Sequence, residues 1–137
     1  MDELLRTFLI SQSGMRAQGI RLRVIAQNVA NAGSEPTQQG EEPYRRKLVT
    51  FKNVLDRTAG VEIVRAGKTI TDKSPFGDRY DPNHPAANET GYVSTPNVNT
   101  LIELMDMREA QRSYEANLNV IKSARTMARR TIEILRR

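Results

Sequence analysis

The chain has 137 residues, enough for one domain of ordinary size or for two long helices carrying a small insert, and too few for two independent cores. With seven aromatics, no Trp and 27% charged residues, a large single core would be thinly supplied. The net charge of +5 resides at the ends, because residues 33–97 hold nine basic and nine acidic side chains; the absence of cysteine removes disulfides, thiolate metal sites and Cys nucleophiles together.

The chain starts Met-Asp-Glu, acidic where a secretory signal carries positive charge, and its longest early apolar run is Phe8-Leu9-Ile10, so no cleaved signal is expected. No stretch approaches the ~20 apolar residues that a membrane-spanning helix needs. Positions spaced alternately by three and four residues are Met1, Leu4, Phe8, Ser11, Met15, Gln18, Leu22, Ile25, Val29 and Ala32. All but two are apolar, which describes a seam at heptad spacing rather than a broad stripe. This spacing predicts a helix over about residues 3–31, opened by Asp2 and Glu3 and closed by a left-handed Gly33. Gly14 inside it costs about 1 kcal/mol relative to Ala. Together with Ser11, Ala17 and Gly19 it forms a small-residue surface that another helix could approach closely, unless it is simply a tolerated irregularity.

All six prolines lie between Pro36 and Pro96, and six of the eight glycines between Gly33 and Gly91, which sets the middle of the chain apart from its ends. There Tyr44–Phe51 and Val61–Val64 favour strand, and Gly67 is expected to turn Val61–Arg65 back onto Thr69–Asp72 as a hairpin. Residues 74–96 read as an extended, turn-rich strap.

A second seam runs Leu104, Met107, Gln111, Tyr114, Leu118, Ile121, Arg125, Ala128, Ile132 and Leu135, predicting a helix over 100–135. Thr100 and Glu103 have the spacing of a reciprocal capping box. Six Lys or Arg against one Glu fall in 122–137, a candidate footprint for nucleic acid or acidic lipid, although a helix dipole also favours cations in its last turns. The expected fold class is therefore mainly α: long N- and C-terminal helices forming a coiled-coil-like pair (1–33 and 98–137), with a small irregular or β insert (34–97). A lone pair of helices leaves half of each unburied, so neighbouring subunits are expected to supply the remaining contacts.

Candidate chemistry is sparse. The single histidine, His84, sits in Asp81-Pro82-Asn83-His84-Pro85, where two prolines point to a rigid turn, and no Cys or second His completes a metal or catalytic site. No Gly-rich phosphate loop or nucleophile elbow occurs. Glu41, Glu42 and Asp81 fall on expected loops. No cofactor, metal or catalytic residue is therefore expected. The asparagines are more informative: Asn28, Asn31, Asn117 and Asn119 occupy helical or helix-end positions where Asn has poor propensity, and their amides could satisfy backbone groups or bond across a helix interface.

Two terminal blocks resemble the flagellar basal-body rod and hook proteins. The first is Ser13-Gly14-Met15-Arg16-Ala17-Gln18 with Ile25-Ala26-Gln27-Asn28-Val29-Ala30-Asn31; the second is Glu103-Leu104-Met105-Asp106-Met107 with Arg112-Ser113-Tyr114-Glu115-Ala116-Asn117. The insert, with Pro43-Tyr44-Arg45-Arg46-Lys47, Phe51, Tyr80-Asp81-Pro82-Asn83-His84-Pro85, Gly91-Tyr92-Val93 and Pro96-Asn97-Val98-Asn99, is similar to the short proximal-rod branch. The resemblance implies a structural, non-enzymatic subunit of a hollow, periplasm-spanning drive shaft, exported by the flagellar type III apparatus. Its terminal helices would line the inner tube and carry torque, with the insert outside. Implied partners are copies of itself, other proximal and distal rod subunits, and the MS-ring/rod junction protein, with no nucleic acid and no membrane insertion. The implied assembly interface is Leu4, Phe8, Met15, Leu22, Ile25, Asn28, Asn31, Leu104, Met107, Tyr114, Asn117, Leu118, Ile121, Ile132 and Leu135. Against it stands a basic helical-hairpin module for nucleic acid, built on Arg125, Arg129, Arg130, Arg136 and Arg137, or for a membrane surface.

Overall fold

The computed structural model describes residues 2–136. Met1, the first residue of the N-terminal seam, and Arg137, the last of the basic cluster, lie outside the described residues. The elements in chain order are α1 (Asp2–Ala30), β1 (Lys47–Asp56), β2 (Val61–Thr71), β3 (Gly77–Tyr80), β4 (Tyr92–Thr95) and α2 (Thr100–Leu135). The strands form two two-stranded sheets, β1 with β2 and β3 with β4. No described helix is long and apolar enough to cross a membrane.

Three local expectations are corrected. Gly33 does not close α1, because the glycines with positive φ are Gly40, Gly60 and Gly91. The helix instead unwinds through Ala32 N–H to Val29 O (3.3 Å) and Ser34 N–H to Asn31 O (3.1 Å), while the Asn31 amide donates to Gln27 O at 2.8 Å. That side chain does the capping, so no left-handed residue is needed. Nor does Gly67 make the hairpin turn. It lies within β2, and the turn falls at 57–60, where Asp56 accepts from Thr58 and Ala59 and Gly60 takes φ 63°. A Cβ at Gly67 would meet Thr50 Oγ1 at 2.5 Å, so the glycine marks a close passage between strands. Finally, the strap contains an antiparallel ribbon, with Gly77 opposite Thr95 and Tyr80 opposite Tyr92. Its proline-flanked strands are too short to show alternation in the sequence.

The chain divides into two compact units built from non-contiguous stretches. The first takes residues up to 22, 49–68 and from 108 onward. Here α1 and α2 run antiparallel: Gly14 faces Asn117, and Arg21 pairs with Glu109 at 3.2 Å. In this unit the covered positions of α2 are Ala110 and Ala124, buried, with Ser113, Asn117, Leu118, Ile121 and Ala128 half-buried. Ala110, Ser113, Asn117 and Ala124 each precede a residue of the expected seam by one position, whereas Leu118, Ile121 and Ala128 belong to it, so the most covered contacts are made over small side chains. The reason is visible at Gly14, where an added Cβ would stand 3.0 Å from Asn117 Nδ2, a contact only a bare α-carbon allows comfortably. Ser13 joins α1 to the hairpin by accepting Val64 N–H at 3.3 Å, and Ala17 and Ile63 are buried.

The second unit takes residues 23–48 and 69–107. Val24, Ile25, Ala86 and Val93 are its buried apolar residues. His84 forms the rigid turn expected of it, accepting Ala86 N–H on Nδ1 at 3.1 Å.

Gly19 has nothing within 4 Å of where a Cβ would stand, so Gly19→Ala is expected to raise stability by up to about 1 kcal/mol through helix propensity alone. Gly14→Ala carries the same propensity gain against the Asn117 contact and is expected to show none of it. Thermal denaturation of both variants checks the difference; equal gains would mean that the helices do not approach at Gly14.

Candidate assembly interface

The second unit is organised by a polar side chain rather than an apolar one. Asn28, near the end of α1, is 1% exposed, and its amide makes four hydrogen bonds. Nδ2 donates to Lys47 O (2.8 Å) and Glu103 Oε2 (2.9 Å), while Oδ1 accepts from Lys47 N–H (2.9 Å) and Tyr44 O–H (3.0 Å). Two partners can only accept and two are placed to donate, which fixes the amide's orientation. Toward Lys47 the side chain behaves as a neighbouring strand would, pairing both backbone groups where β1 begins.

Glu103, in the first turn of α2, is equally buried and takes Arg46 Nε on its other oxygen at 2.5 Å. Arg46 also reaches Asp106 (3.3 Å) and Asp72 (3.6 Å). Asn97 closes the ring, accepting Arg46 N–H at 2.7 Å and donating to Asp72 O and to Ser74. The expected capping box is thereby corrected: Asn99 caps α2, accepting from Leu101 and Ile102 N–H at 3.0 and 3.3 Å, and the Glu103 carboxylate is committed inward.

The electrostatics follow from the geometry. Burial alone would lower the Arg46 pKa, but the hydrogen bond and charge of Glu103, with Asp106 and Asp72, raise it, so the guanidinium stays charged. Asp72 is held below the usual carboxylate range, first by the Ser74 backbone N–H and then by Arg46. Burial raises the Tyr44 phenol, and the Glu103 charge adds to the effect.

Nearly everything large and apolar on the terminal helices is left incompletely covered. Among the expected interface residues, Ile25 and Asn28 are buried, and Leu4, Phe8, Met15, Leu22, Asn31, Met107, Asn117, Leu118 and Ile121 are half-buried. Leu104, Tyr114, Ile132 and Leu135 are exposed, the last two by 65% and 81%. Leu5, Ile10, Leu101, Met105, Met127 and Ile134 join them. Arg46, Tyr44, Asp72 and Asn97 were not expected as organising residues; for Tyr44, Arg46 and Asn97 the signal available was only their place in the family-like blocks of the insert, and Asp72 carried none, since no periodicity links them. Among the described residues no group of three or more His, Asp or Glu is placed to hold a metal ion.

Asn28→Ala leaves buried partners without a bond and is expected to cost about 2–4 kcal/mol in denaturant unfolding, given ~1–3 kcal/mol for each unsatisfied buried group. Asn28→Asp sets a carboxylate against Glu103 and should be worse than alanine at pH 7, with the gap narrowing as pH falls through the carboxylate range. Tyr44, with a folded pKa above its unfolded value near 10, contributes stability that is intact below pH 10 and lost as pH rises through the folded value. Unfolding midpoints against pH should show an alkaline decline that Tyr44→Phe flattens.

Residues 89–134, spanning α2 and the segment leading into it, match the family described as flagellar basal body rod FlgEFG protein C-terminal. A flagellar basal-body rod protein FlgC from Agrobacterium fabrum is 48% identical over 136 residues, covering 99% of this chain and 98% of its own. FlgC proteins from Borreliella burgdorferi (37% over 144 residues; 92% and 93% covered) and Escherichia coli O157:H7 (36% over 131; 96% and 97%) are similar over nearly the same span. Identity at this level along almost the full length of both partners, over a chain with two terminal helices and a β insert, places it in the FlgC family of flagellar basal-body rod proteins.

Proposed function

We propose that this chain is a structural, non-catalytic subunit of the proximal rod, polymerising with copies of itself and with other rod proteins through α1 and α2. In this reading 1–33 and 98–137 build a hollow inner tube that passes exported subunits and transmits torque, with 34–97 outside. The chain spans the periplasm as part of that shaft and reaches it by the flagellar export route without a cleaved signal. The neighbours at its ends are distal-rod subunits and the MS-ring/rod junction protein.

The observation that carries the proposal is the division of labour on α2. Within the chain the helix covers small residues, Ala110, Ser113, Asn117 and Ala124, while Leu104, Tyr114, Met127, Ile132, Ile134 and Leu135 remain exposed. A helix of 36 residues bearing that much uncovered apolar surface is costly to leave in water. Half-buried Leu118 and Ile121 sit at the margin, where a neighbouring helix would complete a coiled-coil-like seam. A contact between different faces of successive copies does not close on itself and generates a helical tube.

Ile132→Glu with Leu135→Glu alters side chains that touch little within the chain, so unfolding free energy should change by no more than ~0.5 kcal/mol. Incorporation into basal bodies and swimming should both be lost. A motile strain with the doubly substituted protein in its rods would reject α2 as the polymerising surface.

A further inference from the structure

In the first unit, α1 and β2 enclose an open groove of about 430 Å³ whose apolar lining includes Leu9, Ile20 and Ile63. Arg16 and Arg65 also line it, both at exposed positions, and neither makes an ion pair with another described residue. The groove thus combines an apolar surface with two unneutralised guanidiniums. Asp56 is the carboxylate on its wall, and its Oδ1 already accepts from Thr58 and Ala59 N–H.

We propose that this groove receives the first turn of α1 from a second copy of the chain, with Leu5 entering the apolar lining and Glu3, two residues back and so on the other side of that turn, met by the exposed Arg16 and Arg65 from the groove's edges. Charge complementarity selects that turn. Its sequence is Asp2-Glu3-Leu4-Leu5, acidic and apolar together, with Glu3 exposed and Leu5 57% exposed. The other apolar ends do not match. Residues 122–136 are basic and would be repelled by the two arginines, and the acids near the start of α2 are engaged, Glu103 and Asp106 by Arg46 and Glu109 by Arg21. Nor can the chain fill its own groove. Leu5 and the groove residues from Leu9 to Ile20 lie on one uninterrupted helix, so the turn is held about 15 Å along the axis from the groove's centre. The proposed occupant is therefore another copy, displaced along α1, in a head-to-tail contact that repeats without closing.

This inference rests on the assembly reading above but can fail separately from it. The chain has no cysteine, so disulfide trapping has no background from the protein itself. Cells carrying one full-length copy with Leu5→Cys and a second with Ala66→Cys, a groove-lining position, are oxidised and their basal bodies isolated. The expected result is a mixed dimer that neither variant gives alone. Adding Arg65→Glu to the Ala66→Cys copy should lower its yield at least tenfold, and adding Glu3→Arg to the Leu5→Cys copy should restore it. Basal bodies that contain both variants without the mixed dimer would overturn the groove contact and leave the assembly reading standing. A Leu5→Cys homodimer, or a cross-link from Ala66→Cys to a different protein, would likewise overturn it. Absence of the unsubstituted chain from basal bodies would remove both.

Discussion

The second unit depends on one buried amide. Asn28 is surrounded by groups that all carry hydrogen-bonding obligations, and each is met only because the others are in place. A buried network of this kind is fully satisfied or badly destabilising, with little between. Its consequence is positional. The end of α1, the start of β1, the end of β2 and the first turn of α2 are held by directional bonds that a greasy contact would leave free to slide.

Polar anchoring suits a chain that leaves many of its large apolar helix residues exposed. Arg46 answers Glu103, Asp106 and Asp72 from a single side chain, so the buried carboxylate of Glu103 does not stand uncompensated. Losing either partner of such a pair is far more damaging than replacing both would be. The network therefore favours one arrangement of the insert without drawing on the large apolar side chains of the helices. In the same unit Leu101, Leu104 and Met105 stay on the surface.

The first unit is arranged on a different principle. Its helices approach over Gly14, Ala110, Asn117 and Ala124, where the backbones can come close and little apolar area is hidden. Close approach of this type fixes the pairing by shape. It also leaves one flank of each helix available to a neighbour, as a subunit of an extended assembly requires.

The sequence by itself determined the two terminal helices. Their three–four spacing over some thirty residues, the acidic start of one and the proline and asparagine ahead of the other are local signals, and local signals survive without knowledge of partners. It also determined the family, since the terminal blocks around Asn28 and Tyr114 are contiguous. The tertiary structure alone decided which face of α2 the chain covers, because a heptad pattern marks apolar positions without saying whether a small-residue stripe beside them makes the closer contact. It decided the role of Gly67 as well: a glycine in sequence signals either a turn or a tight passage, and only the neighbouring Thr50 distinguishes them. Most of all it decided the commitment of Asn28, Arg46 and Glu103 to one another. Those residues are 18 and 57 positions apart along the chain, no periodicity connects them, and a carboxylate in a first turn reads as a cap until the guanidinium that claims it is seen.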